Sequence, residues 1–281
     1  MSEPVALGYR SAMNATRPVG EQLRDWRQRR RLTQLDLAGM ADISTRHVSF
    51  IETGRSLPSR AMLLRLADRL DVPLRERNQL MTAAGLAPMY AQRSLDDPAL
   101  HEAHAAIQLV LHGHEPYPAL AIDRHWNLLA ANRAIERMLV GIPADLLQPP
   151  INVLRLSLHP QGLAPLIVNQ AQWRAHLLHR LRHQADATGD PVLSELHDEL
   201  AAYPCADADE VEPPTTLSVA VPLRLRSADG GEHAYISTTT VFGTPLDVTL
   251  AELAIEAFFP ADAATAQALR ALQAAEAEAA N

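Results

Sequence analysis

The sequence predicts two domains of different class: a mainly α N-terminal domain of five helices, and an α+β C-terminal domain built on an antiparallel sheet. Three observations carry this. Between residues 19 and 88, apolar residues recur at helical spacing in five short runs separated by turn chemistry. Beyond residue 99 the period changes, and helical runs are interleaved with short alternating or β-branched runs. The charge divides at about the same place. Residues 1–90 carry 14 arginines against 9 acidic residues (+5), and residues 91–281 carry 11 arginines against 24 acidic residues (−13), giving the −8 of the whole chain. A positive first part suits an anionic partner, whereas the acidic remainder repels nucleic acid and points to a different task.

The elements follow in order. Residues 1–18 read as a flexible tail. Gly20 to Arg31 forms the first helix, with Leu23 and Trp26 among its arginines. Thr33-Gln34-Leu35-Asp36 is a capping-box start, with Asp in place of the usual Glu, opening a helix through about Met40. Ser44 is an N-cap for the third helix, which Gly54 ends. Pro58-Ser59 starts a fourth, with Met62, Leu63, Leu66 and Leu70 on its inner face, and Pro73 opens a fifth that stops near Gly85. Residues 89–98 form a linker. The second domain, 99–262, begins with a helix over Ala99 to Leu111. Ala119 to Ile122 reads as a strand, Asp123-Arg124-His125 as a turn and Trp126 to Ala130 as a second strand. Helices follow over Asn132 to Leu139, Gln170 to Ala187 and Pro191 to Tyr203, then an acidic loop from Cys205 to Pro214. Leu217 to Arg226, His233 to Phe242 and Leu253 to Phe259 read as strands, the first two joined by Asp229-Gly230-Gly231. Residues 263–281 read as a C-terminal helix or tail.

Composition bounds the function. Apolar content of 47% and charged content of 21% are those of a globular soluble chain. No apolar run approaches the roughly 18 residues of a membrane-spanning helix, and residues 1–18 lack a signal-peptide core, so a cytoplasmic location and no membrane partner are expected. The single cysteine, Cys205, excludes an internal disulfide and an all-cysteine zinc site. A glycine-rich phosphate loop, a Gly-x-Ser-x-Gly turn and a spaced catalytic triad are all absent, so no enzyme is expected.

Five short helices with a tight turn between the second and third satisfy the geometry of a helix-turn-helix, whose second helix enters the major groove of double-stranded DNA. Val48 and Ile51 share a face that can bury against Leu37 and Leu66. Thr45, Arg46 and Ser49 then face outward near the helix start, with Ser44 and His47 beside them. Arg46 can donate two hydrogen bonds to guanine. Gln34 is placed to bond a phosphate, and Arg55 and Arg60 to reach phosphates or the minor groove. Phe50 either contacts thymine methyl groups or covers the core. A helical protein-interaction module is the alternative reading.

The run Thr33-Gln34-x-x-Leu37-Ala38, followed by Ile43-Ser44, Val48, Ile51-Glu52-x-Gly54-Arg55 and Pro58-Ser59, resembles the XRE/lambda-repressor family over residues 19–85. That resemblance implies a lambda-repressor-like fold and a structural ion pair between Arg27 and Glu52.

In the second domain, strand, turn, strand, short helix, longer helices and three further strands form a PAS-like order, which encloses a pocket for small ligands. The segments from Pro118 to Asn132, Asn152 to Pro160, Trp173 to Leu181 and Ser237 to Pro245 resemble MmyB-like regulators over residues 95–260. The resemblance implies a sensor domain with fatty-acid-like ligands. Trp173, His176 and Arg180 fall on one helical face and could meet an apolar ligand with a carboxylate end. Trp126, Asn132 and His159 join them as candidates. The alternatives are that Trp173 is core, that His176 and Arg180 bond backbone carbonyls or sit at a domain interface, and that Asn132 caps the helix after it.

The chain has 12 histidines, some at helical spacing. His101-Glu102-x-His104 is one residue short of the metalloprotease pattern, and Arg180 interrupts the stripe His176, His179, His183, so no metal or other cofactor is expected. The expected function is that of a ligand-responsive transcription regulator binding operator DNA as a homodimer and sensing a small hydrophobic molecule. A metal-sensing regulator and a DNA-binding scaffold for a protein partner are the alternatives.

Overall fold

Short polar side chains start most of the helices in the first unit, which ends at Tyr90. The computed structural model describes residues 17–205, 221–227 and 230–279. In the first unit these form α1 (Val19–Arg29), α2 (Gln34–Ala41), α3 (Thr45–Glu52), α4 (Arg60–Arg69) and α5 (Leu74–Ala83). The capping box of α2 is complete: Thr33 Oγ1 accepts from Asp36 N at 3.1 Å and Asp36 Oδ2 accepts from Thr33 N at 2.8 Å. Ser44 Oγ accepts from His47 N at 3.2 Å and Ser59 Oγ from Met62 N at 3.3 Å. Gly54, just past α3, has φ of +72°. The five helices close over one core that includes Leu23, Trp26, Leu37, Val48, Ile51, Leu63, Leu66 and Leu70. Met62, expected on the same inner face, is only partly buried there.

The second unit contains α6 (His101–Gly113), β1 (Ala119–Ile122), β2 (Leu128–Ala131), α7 (Arg133–Met138), α8 (Val153–Leu158), α9 (Gln170–Thr188) and α10 (Pro191–Ala201). Then come β3 (Leu223–Arg226), β4 (Glu232–Val241), α11 (Val248–Ala251), β5 (Ala254–Pro260) and α12 (Ala263–Ala279). Every strand pairing is antiparallel and the sheet order is β2-β1-β5-β4-β3. Side chains alternate across a sheet. In β1, Leu120 and Ile122 join the main core with α7 to α10, whereas Ala119 and Ala121 pack with Ile107 and Leu111 of α6. The same alternation in β5 puts Ile255 and Ala257 on the α6 side and Phe258 against the main core.

Three expectations change. The second strand begins at Leu128, not Trp126, because Trp126 adopts φ of +67° in the turn after β1. Asn152 to Pro160 contains a helix, α8, that periodicity alone did not show. The expected linker 89–98 contains the boundary between the units, and its residues are hydrogen-bonded. In the first unit Asn78 accepts from Met89 N and Tyr90 N at 3.0 Å each; in the second, Ala91 O accepts from Val248 N at 2.8 Å and Arg93 bonds Asp247 at 3.0 Å. The tail before Arg17, the acidic stretch 206–214, the start of the Leu217 to Arg226 run and Asp229 of the hairpin turn lie outside the described residues.

The α1–α3 crossing sets up a contrast between two glycines. A Cβ on Gly20 would lie 2.2 Å from Ile51 O and 2.9 Å from Glu52 O, both backbone atoms, whereas a Cβ on Gly39 in α2 meets nothing within 4 Å. Gly20→Ala is expected to destabilise the first unit by about 3 kcal/mol or more, against the usual sign for a helical glycine. Gly39→Ala should stabilise it by up to about 1 kcal/mol. Hydrogen-exchange protection of α1 and α3 amides measures both.

Candidate functional site

The outward face of α3 combines exposure with internal order. Ser44 and Arg46 are exposed, Thr45, His47 and Ser49 are half-exposed, and Val48, Ile51 and Glu52 are buried. Phe50 is half-buried and lies outside the apolar core of the unit. Its ring lies under two guanidiniums, with Arg46 Cζ at 5.1 Å and Arg55 Cζ at 5.8 Å from the centroid. Cations are attracted to the negative face of an aromatic ring, so Phe50 gathers both arginines on one surface. Arg55 is held again through its backbone, since Phe50 O accepts from Arg55 N at 2.8 Å. Arg60 is exposed at the start of α4, with Nη1 4.0 Å from Met81 Sδ.

Behind this face, Glu52 is the junction of three elements. Arg27 Nε and Nη2 donate to its two carboxylate oxygens at 2.6 and 2.9 Å, Gln34 Nε2 donates at 2.8 Å, and Arg24 stands 3.6 Å away. Arg27 Nη1 also donates to Leu32 O at 2.7 Å. The expected Arg27–Glu52 pair is therefore present, bidentate and buried. Gln34 is partly redirected, because one of its N–H groups serves Glu52 and only the remainder of its amide is left to meet a phosphate. Burial pushes the Glu52 carboxyl up, but hydrogen bonds from Arg27 and Gln34 and the charges of Arg27 and Arg24 outweigh it and hold it below the usual carboxylate range.

In the second unit an apolar cavity of about 80 Å³ lies between the sheet and the helices. Its walls include Leu120 of β1, Leu128 of β2, Ile135 of α7, Val153 and Leu154 of α8, Leu177 of α9 and Phe258 of β5. The polar exceptions are Ser157, Ser237, Arg180 and Glu256. Two tryptophans are fixed into the wall. Trp173 Nε1 donates to Ser157 Oγ at 3.0 Å, and Trp126 Nε1 donates to Gln184 Oε1 at 2.9 Å. Positive φ is unusual for so bulky a residue, and Trp126 holds it because the turn is bonded throughout. Asp123 Oδ1 accepts from His125 N and Asn127 N at 2.8 and 2.9 Å, and Trp126 O accepts from Val153 N at 2.9 Å.

Arg180 does not present an unpaired cation to this cavity. Its Nη2 and Nη1 donate to Glu256 at 2.5 and 3.1 Å, Nη2 also donates to Thr239 Oγ1 at 2.8 Å, and Cζ lies 4.6 Å from the Trp126 ring centroid. The carboxylate that Arg180 meets is thus one of the protein's own. Trp126 and Arg180 also line a second, more open cleft of about 390 Å³, whose other walls include Asp123, Arg124, His183 and Glu252.

The remaining candidates divide. Trp126, Trp173 and Arg180 meet at the cavity. Asn132 does not: it is a buried staple whose Oδ1 accepts from Ala119 N and Ile135 N, at 3.1 and 3.2 Å, and whose Nδ2 donates to Tyr117 O and Leu111 O, at 2.8 and 3.3 Å. Its amide hydrogens bind α6 and the turn before β1, and its oxygen binds β1 and α7. His159 also falls outside the wall; it ends α8, accepts from Gln161 N at 3.1 Å and packs edge-on against Tyr203. His176 stacks beside Trp173 at 5.4 Å but does not line the cavity. Burial pushes its imidazole pKa down and the Arg180 charge adds to that, favouring the neutral ring. Sequence reasoning missed Gln184, Ser157, Ser237, Thr239 and Glu256. Gln184 had a signal, one turn beyond Arg180 on the same face, and Glu256 was a lone acid on an otherwise apolar strand. Among the described residues no group of three or more histidine, cysteine or acidic side chains could hold a metal ion, and no helix is long and apolar enough to cross a membrane.

Residues 103–272 match the MmyB-like transcription regulator ligand binding domain, and residues 18–80 match a helix-turn-helix domain. No curated protein matches the chain.

Removing the Glu52 charge tests the junction. Glu52→Gln leaves the Arg27 guanidinium buried without its counter-charge and is expected to cost the first unit about 3–5 kcal/mol. The pH dependence has a definite sign. With its folded pKa depressed, Glu52 binds protons more readily when unfolded, so its contribution is complete above the ordinary carboxylate range and is lost as pH falls towards the depressed value. Hydrogen exchange in α3 across acid pH should show that loss in the wild type and not in Glu52→Gln.

Proposed function

The chain belongs to the MmyB-like transcription regulators, carrying a helix-turn-helix domain ahead of a ligand-binding domain, and on that premise we propose that it binds operator DNA as a homodimer under the control of a small hydrophobic molecule held in the cavity between sheet and helices. The work is binding and conformational change with no catalytic step, carried out in the cytoplasm where the operator is. In DNA recognition, Arg46 reads base edges in the major groove, supported by Thr45 and Ser49. Arg55 and Arg60 contact phosphates. Dimer contacts come from the second domain, and two-fold symmetry places the half-sites about 10 base pairs, or a multiple, apart.

The observation that carries the sensory half of this reading is the cavity itself. It is walled by aliphatic and aromatic side chains from five elements or more, and at about 80 Å³ it is smaller than the space a bound molecule takes. Pockets that hold ligands of drug size run to roughly 300–1,000 Å³. An aliphatic chain of the kind a fatty acid carries enters only if the walls move apart. Binding is therefore linked to a change in the packing of the helices on the sheet. A ligand that favours one packing shifts the population towards it and can change DNA affinity.

Two measurements test the reading. In gel-shift titrations, Arg46→Ala should lose about 1–3 kcal/mol on the preferred site and relax its sequence preference, whereas Arg55→Ala should weaken all sequences alike and lower the salt slope by about one unit. Unchanged binding in Arg46→Ala overturns its role in base reading. Native mass spectrometry of the full chain should show a dimer that takes up an organic mass; a monomer, or a bound metal in place of an organic ligand, overturns the corresponding part of the proposal.

A further inference from the structure

Resting on the reading that the apolar cavity is the ligand site, we propose that Glu256 makes it selective for uncharged amphiphiles, such as an aliphatic alcohol, and excludes carboxylate-headed ones. The argument starts from how few polar groups reach the cavity. Among the described lining residues the cations number one, Arg180, and the anions one, Glu256; Ser157 and Ser237 add hydroxyls. A carboxylate-headed ligand needs the guanidinium, and the guanidinium is already committed to three hydrogen bonds within the protein. It is bidentate to Glu256, bonded to Thr239 and covered on one face by Trp126. Thr239 closes the triangle by donating its own hydroxyl hydrogen to Glu256 at 2.9 Å.

Two ways of admitting an anion exist, and both are unfavourable. The ligand can displace Glu256 from Arg180, leaving a carboxylate with 5% of its side chain exposed and its counter-charge gone. Alternatively it can sit beside the intact pair, where two carboxylates share one guanidinium at low dielectric and repel each other. A neutral hydroxyl meets neither obstacle. It can donate to a remaining lone pair of Glu256, or exchange hydrogen bonds with a serine hydroxyl, while Arg180 and Glu256 stay paired. The tail takes the same apolar wall in either case, so the head group alone decides. Arg180, which spacing on α9 suggested as an anchor for a ligand carboxylate, is satisfied from within by a residue of β5.

The test compares two probes with the same tail, 1-octanol and octanoate, by calorimetric titration of the full chain near pH 8, far above the ordinary carboxylic-acid pKa of about 4. The wild type should bind octanol about tenfold or more tightly than octanoate, a difference of about 1.4 kcal/mol. Glu256→Gln keeps the shape and removes the charge, so Arg180 becomes available and the preference should reverse towards octanoate. A wild type that binds octanoate as tightly as octanol overturns the proposal without need of any variant, as does a Glu256→Gln protein with an unchanged ratio. Leu177→Trp separates this from the reading it rests on. Filling the cavity should abolish binding of both probes; undiminished binding there, or no binding of either probe to the wild type, removes the cavity as the ligand site and the head-group proposal with it.

Discussion

A carboxylate taken out of water has to be met by a cation and by hydrogen bonds to its remaining lone pairs, and in each unit of this protein one such carboxylate stands at the candidate site. In the first unit it is Glu52, at the end of α3. Arg27 reaches it from α1 and Gln34 from α2, so the position of α3 is fixed against both of its neighbours by the same side chain. In the second it is Glu256, on a central strand of the sheet. Arg180 reaches it from α9, and the guanidinium then stacks on Trp126 in the β1–β2 turn. Hydrophobic burial supplies most of the driving force in both cores, but it is non-directional. The ion pairs are what give these helices a definite rotation and reach.

The two pairs lie on opposite sides of what a sequence can show. Arg27 and Glu52 fall within a short, strongly patterned domain, and the resemblance carried by motifs such as Ile51-Glu52-x-Gly54-Arg55 implied the pair. Glu256 is 76 residues from Arg180, and nothing in either local pattern links a strand acid to a helix arginine. Helix starts were legible without any resemblance. Thr33, Ser44, Ser59 and Asn132 each act on the amide three residues on, so the chemistry that places them is local. Trp126 was misplaced as a strand residue because β-propensity favours it there, and the turn that inverts its φ depends on Asp123 and on α8, which periodicity did not reveal. Asn132 illustrates the remaining ambiguity: a buried amide reads equally as cap or ligand contact until its four partners are known.

Helix α3 shows how a residue that breaks a pattern can be explained by its neighbours. An aromatic on a polar surface invites a reading as core or as a direct contact. Here Phe50 organises the two arginines on either side of it, in the same way that Trp126 carries Arg180 and Trp26 lies beneath Arg29 and Arg30. A chain whose only long cations are arginines can use this arrangement repeatedly, because a planar guanidinium stacks where an ammonium does not.

The placement of the tryptophans has a spectroscopic consequence. The chain has three. Trp26 is buried in the first core, and Trp126 and Trp173 both form part of the cavity wall in the second unit. Intrinsic emission from this protein is thus weighted two to one towards the place where an apolar molecule would sit, with the third indole reporting on a separate core. Replacing Trp26 by Phe leaves an optical signal that comes from the cavity wall alone, with no dye and no label attached.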